Sequence, residues 1–141
     1  MKEFIKKNAL YGAFAVSLVA MLGSLYFSQI AHFPPCVLCW YQRITTYPLV
    51  LITGFAIHKK NREILLPGIV LVSIGWLIGL YHNLLYYKII PEAAAPCIAG
   101  VSCTTKFIEW FGFVTIPMLA FTASTLILIG LIIHYKTQKN D

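Results

Sequence analysis

Four cysteines set the chemistry open to this 141-residue chain. They fall in two close pairs, Cys36-Val37-Leu38-Cys39 and Cys97 with Cys103. Cysteine sulfur is a nucleophile or a metal ligand as the thiolate, so each pair could bind metal, close a disulfide or exchange one. A structural zinc site needs four soft ligands, and the spacing from Cys97 to Cys103 exceeds the usual gap of about two to four residues. Haem attachment needs a histidine after the second cysteine, where Trp40 stands. A soluble thioredoxin-like site needs a neighbouring βαβ pattern, which this sequence lacks. Inert structural disulfides remain open, although closing such short loops stabilises little. Two redox pairs, with no metal, are the better reading.

The elements that must position these pairs are read from hydropathy. The chain is 59% hydrophobic and 11% charged, against about 25% charged in a typical soluble domain. So few charges cannot cover a water-facing surface. A disordered tail and an ordinary nucleic-acid-binding domain are excluded despite the net charge of +6. A transmembrane helix takes about 20 apolar residues, and four runs are expected to serve. The chain therefore reads as all-α, a polytopic four-transmembrane-helix bundle forming a single membrane domain over 1–141. Spans are expected at about 10–30, 39–57, 64–87 and 110–134, with outer loops at about 31–38 and 88–109. The first run exceeds the roughly 7–15 residues of a signal peptide's hydrophobic region. Pro48 and Pro117 are expected inside the second and fourth helices, loosening them, and Pro67 in the first turn of the third.

Basic residues orient the bundle. Lys2, Lys6 and Lys7 precede the first span, Lys59, Lys60 and Arg62 lie in the middle hairpin, and Lys136 and Lys139 close the chain. Only Arg43, Lys88 and Lys106 fall on the other side. By the positive-inside rule both termini are cytoplasmic. Both cysteine pairs then face the extracytoplasmic side, where disulfides persist. A small transporter would need an intramembrane carboxylate, but Glu3, Glu63, Glu92, Glu109 and Asp141 all lie outside the span cores.

The second span is short. Ile44 to Ile57 makes about 21 Å of helix against a hydrocarbon core of about 30 Å. To cross, the helix must reach back to about Leu38. Cys39 then sits at its amino end, where the helix dipole favours a thiolate. Arg43, one turn deeper, either stabilises that thiolate or anchors the helix at the interface. At that depth a membrane quinone is the natural electron acceptor. His82, inside the third span, either hydrogen-bonds a quinone oxygen or joins helices. His32, His58 and His134 are expected at interfaces, and the Tyr and Trp residues near span ends as aromatic belts. The Pro-, Ala- and Gly-containing loop around Cys97 and Cys103 is expected to be irregular and mobile, with an exposed disulfide suited to exchange with a protein partner. Lys106 to Phe111 either lies along the outer interface or begins the fourth helix.

The run Pro35-Cys36-Val37-Leu38-Cys39-Trp40-Tyr41-Gln42-Arg43 resembles the DsbB/BdbC family of disulfide-forming membrane proteins. Pro96-Cys97, Cys103, His82 and Trp110-Phe111-Gly112-Phe113 extend the likeness along the whole chain, and the compact second loop is closer to the BdbC branch. The resemblance implies a thiol:quinone oxidoreductase that reoxidises a secreted or lipid-anchored thioredoxin-like thiol oxidase of the DsbA/BdbD kind. Cys97 and Cys103 would be the disulfide that accepts electrons from this partner. Cys36 and Cys39 would receive them by exchange and pass them to the membrane quinone pool. Cys39 would face the quinone, Arg43 would stabilise the thiolate–quinone charge transfer, and His82 would be a further quinone contact. Menaquinone is the species this branch implies, with ubiquinone the other candidate. Two alternatives are a vitamin K epoxide reductase-like enzyme and a structural membrane subunit with two stabilising disulfides. The first would place its Cys-x-x-Cys in the last helix, but the fourth span here has no cysteine.

Overall fold

A computed structural model describes residues 1–59, 61–97 and 100–139, except the side chains of Lys2 and Lys6. Lys60 and Asp141, used above in reading charge, lie outside the described residues. The fold is all-α: α1 (Lys2–Leu25), α2 (Val37–Lys59), α3 (Leu65–Tyr86) and α4 (Ile116–Lys139). A π-helical turn, Tyr26–Ile30, extends α1, and a 3-10 turn, Glu92–Ala94, interrupts the loop between α3 and α4. The helices pack as a ring in chain order, with α1 closing against α4.

Glu3–Ile30, Leu65–Tyr86 and Ile116–Lys139 are long and apolar enough to cross a membrane. α2 has 23 residues, about 34 Å of helix, but carries Gln42, Arg43, Thr45, Thr46 and Thr53 along its length. Large apolar side chains point outward from all four helices, including Val19, Leu51, Leu77 and Leu126. In lipid that surface incurs no hydration cost. Buried hydroxyls are satisfied within their own helices: Ser17 donates to the Phe14 carbonyl at 2.8 Å and Thr53 to the Leu49 carbonyl at 2.6 Å.

Close helix approach needs small residues at two seams. A Cβ on Gly130 would stand 2.9 Å from the Ala9 carbonyl oxygen of α1. One on Gly75 would stand 2.6 Å from Thr45 Oγ1 of α2. Such contacts suit association in lipid, where packing replaces the hydrophobic driving force.

The sequence expectations fail at four places. The last helix begins at Ile116, not near Trp110. Thr115 caps it, its Oγ1 accepting the Met118 N–H at 3.3 Å. Pro117 is therefore a first-turn residue, where its missing N–H costs nothing. Residues 106–114 are not the start of α4: Trp110 and Val114 pair across a tight turn, with φ of 55° at Phe111 and 78° at Gly112. His134 is buried in α4, whereas His32 and His58 are exposed. Pro48 does lie inside α2 and Pro67 in the first turn of α3.

Candidate redox site

Cys36 immediately precedes α2 and acts as its cap. Its carbonyl accepts the Trp40 N–H at 3.1 Å, and its Sγ accepts the Cys39 N–H at 3.4 Å. This is the position that Ser, Thr or Asp commonly fills. Cys39 is the third residue of α2, and its Sγ lies 2.9 Å from that of Cys36. Cys39 thus lies in the first turn, as expected, and Cys36 shares the helix end from the cap position. The hydrogen bond from the Cys39 thiol pulls the Cys36 thiol well below its ordinary range, with His82 and the Cys39 N–H adding to it against the effect of burial.

Cys97 and Cys103 are joined in a disulfide. Cys103 is buried and Cys97 half-buried, so the bond is not the exposed one expected from loop composition. The sulfurs of Cys36, Cys97 and Cys103 lie within 4.8 Å of one another. Those of Cys36 and Cys39 lie within the same distance of a ring nitrogen of His82. Both groups could hold a soft metal by proximity. In the first, however, two of the three sulfurs are bonded to each other, and a thiolate is what ligates.

The end of α3 fixes the second loop. Tyr81 donates its hydroxyl to the Ala94 carbonyl at 2.7 Å, Tyr86 to Glu109 Oε1 at 3.2 Å and Tyr87 to the Phe113 carbonyl at 3.1 Å. These tyrosines are loop clamps, not simply an aromatic belt. Glu92 Oε1 accepts from Ser102 and Thr104, both at 2.9 Å, and these bonds hold its carboxyl below the usual carboxylate range. Phe27, Phe33 and Phe107 form a run of stacked rings, with centroids 6.2 and 5.1 Å apart, that ties the π turn and first loop to the second loop.

Below the loops lies a cavity of about 640 Å3. Cys36, Cys39, Gln42, Arg43, His82 and Cys103 all line it, as do small residues of α1 and α4 such as Gly23 and Ala120. Arg43 reaches across to α1: its Nε donates to Ser24 Oγ at 2.9 Å and its Nη2 to the Ser24 carbonyl at 3.0 Å. Its guanidinium also sits 5.3 Å from the centre of the Trp40 ring. Gln42 is buried, and its Nε2 lacks a hydrogen-bond partner among the described residues. Sequence reasoning singled out neither Ser24, Gln42 nor the Glu92 clamp. Only the intramembrane amide of Gln42 carried a signal that could have found it.

The family profile described as "Disulfide bond formation protein DsbB" matches residues 6–133. This chain belongs to the DsbB family. It is 47% identical over 134 residues to Disulfide bond formation protein C of Bacillus subtilis (strain 168), covering 94% of this chain and 95% of that one. Probable disulfide formation protein C 1 of Bacillus anthracis is 48% identical over 119 residues, covering 84% and 86% of the two chains. No solved structure matches. Membership in the DsbB family makes this a membrane oxidoreductase of disulfide bond formation.

Proposed function

We propose that the protein reoxidises an extracytoplasmic thioredoxin-like thiol oxidase and passes the electrons through Cys97–Cys103, then Cys36–Cys39, to a membrane quinone. The observation that carries this reading is the position of the Cys36 sulfur, within 4.8 Å of both Cys97 and Cys103 and 2.9 Å from Cys39. Such proximity makes exchange between the pairs effectively unimolecular.

The thiol steps balance along that path. A partner thiolate attacks Cys97, the more accessible sulfur of its pair, and the bond's electron pair leaves on Cys103. The partner's second thiolate then closes the partner's own disulfide and releases Cys97. Cys103 attacks Cys36 of the oxidised first pair, and the electron pair moves to Cys39. Cys97 next attacks Cys103, restoring their disulfide and releasing Cys36 as a thiolate. The first pair then holds the two electrons and the second is oxidised. This is the pairing of the sulfurs in the structure, where Cys36 and Cys39 are free.

The residues present fit a quinone. The cavity is mostly apolar, is lined by Cys39, and carries the Gln42 Nε2, without a hydrogen-bond partner among the described residues, and the Arg43 guanidinium. Cys39, Arg43 and Gln42 would hold the head group, and the small residues of α1 and α4 its prenyl tail. Quinone, when bound, supplies the two-electron sink, and menaquinone is the favoured species. The topology that suits this reading is four crossings with both termini cytoplasmic, α2 crossing despite its polar residues.

The test combines purified protein, a short-chain menaquinone and a reduced thioredoxin-like thiol oxidase. Quinone reduction should match partner thiol loss one quinone to two thiols. Absence of transfer with both cysteine pairs intact would sink the reading.

A further inference from the structure

We propose that His82 serves the exchange between the two cysteine pairs, holding Cys103 beside Cys36 and facing the Cys36 sulfur with the same ring nitrogen. The inference rests on the two-pair relay and goes beyond it, assigning to His82 a step between thiols in place of the quinone contact suggested by its position in the chain.

His82 is 1% exposed, on the penultimate turn of α3. Its Nε2 lies 3.1 Å from the main-chain carbonyl of Cys103 and 3.9 Å from Cys36 Sγ. A carbonyl oxygen can only accept, so Nε2 must carry a proton. In the neutral ring Nδ1 is then a bare lone pair, and it lacks a hydrogen-bond partner among the described residues. A buried lone pair is the cheaper of the two vacancies, since an orphaned N–H is rarer than an under-satisfied acceptor. The tautomer is thus set by Cys103, and the N–H it fixes is directed at the junction of the two pairs. One interaction holds the main chain of Cys103, the buried half of the second pair, in place. The other faces the sulfur that must leave as a thiolate when Cys97 re-forms its bond to Cys103. The groups facing Cys36 are Cys39 from its own helix, His82 from α3, and Cys97 and Cys103 from the loop.

The step is internally balanced. When Cys97 attacks Cys103, the Cys97–Cys103 bond forms, the Cys103–Cys36 bond breaks and the electron pair goes to Cys36 Sγ. His82 gains no electron and gives up no proton. It lowers the cost of charge on Cys36 and keeps Cys103 within reach.

The experiment is rapid mixing of the full-length oxidised protein with its reduced partner, acid quench, alkylation and peptide mapping of both pairs. His82→Leu should leave the partner's attack on Cys97 unchanged and slow transfer to the first pair about tenfold, the weight of one hydrogen bond in a rate. The electrons should accumulate upstream of the first pair, as the Cys97/Cys103 dithiol where the attack on Cys36 is slowed and as the Cys103–Cys36 mixed disulfide where the departure of Cys36 is slowed. His82→Gln, which returns an N–H at the ε position, should restore the rate to within about twofold. The KM for quinone should not move in either variant. Unchanged transfer between the pairs would overturn the inference, as would a raised quinone KM with normal transfer. If wild-type protein passes no electrons at all, the relay itself fails; if wild type works and both variants equal it, only the role of His82 fails. The wild-type 15N-histidine spectrum is a second measurement, independent of how well His82→Leu folds. It should show protonated Nε2 and a resonance that shifts when the first pair is reduced, and a bare Nε2 would also overturn the inference.

Discussion

The bundle has two cores built on different terms. One joins Leu10 and Ala13 of α1 to Leu49 and Ala56 of α2, Leu65 and Val72 of α3, and Ile127 and Leu131 of α4. It is aliphatic throughout and depends on shape. The other gathers Cys36, Leu38, Leu85, Ala95 and Cys103, with Cys39 and Cys97 against it. There sulfurs pack among the aliphatic groups, and the neighbouring His82 is as deeply buried as the aliphatic residues. In the first core a side chain matters for the volume it fills. In the second it matters for which atom it touches. Cysteine packs as a small hydrophobic side chain, so sulfurs can be gathered in a core as aliphatic groups are.

The largest effect should separate the two cores outright. Cys103→Ser should bring partner-dependent quinone reduction down to the uncatalysed background, while circular dichroism remains helical. Residual turnover near wild type would show that the second pair is not obligatory. Next, Leu131→Ala in the aliphatic core should cost about 2–5 kcal/mol through cavity formation. It should lower the thermal midpoint by about 10 °C and leave the rate per folded molecule unchanged below that midpoint. A large loss of activity with little change in midpoint would mean the cores are not separable.

The smallest effect concerns the clamp on the second loop. The Glu92 carboxyl is held below its ordinary value by Ser102 and Thr104. Its contribution to loop order is therefore complete above the unfolded carboxylate range and lost as pH falls through the lower, folded value. Protection of the amides of 102–105 from hydrogen exchange, taken relative to their intrinsic rates at each pH, should fall across that acid window in wild type. In Glu92→Gln protection should be lower at neutral pH and should not change across the window. A pH-dependent profile retained by the variant would assign the clamp to another group.

The legibility of this molecule in its sequence follows the range of the interactions involved. The four helices follow from composition, because every apolar run must satisfy its backbone internally. The start of α2 was legible too: the sequence reading extended that helix back to about Leu38, and it begins at Val37. The start of α4 did not follow, because the Phe111–Gly112 turn and the Thr115 cap are set in an uninterrupted apolar stretch. The cysteine spacing marked a redox chain but could not say which sulfur joins the pairs. That depends on Cys36 meeting a loop more than 60 residues away and on His82 touching a carbonyl 21 residues on. Arg43 was read as a neighbour of Cys39 by helical periodicity. Both line the same cavity, but periodicity could not show that the Arg43 hydrogen bonds run 19 residues back, to Ser24.

The stacked rings of Phe27, Phe33 and Phe107 bear on how readily the site can open. Any swing of the second loop that lifts Cys103 from Cys36 has to slide Phe107 off Phe33. An aromatic pair contributes about 0.5–1.5 kcal/mol beyond its buried area, and about 1.4 kcal/mol changes a population tenfold. The stack is therefore a latch and not a lock. Losing one of its contacts would change the population of the closed loop by about tenfold at most.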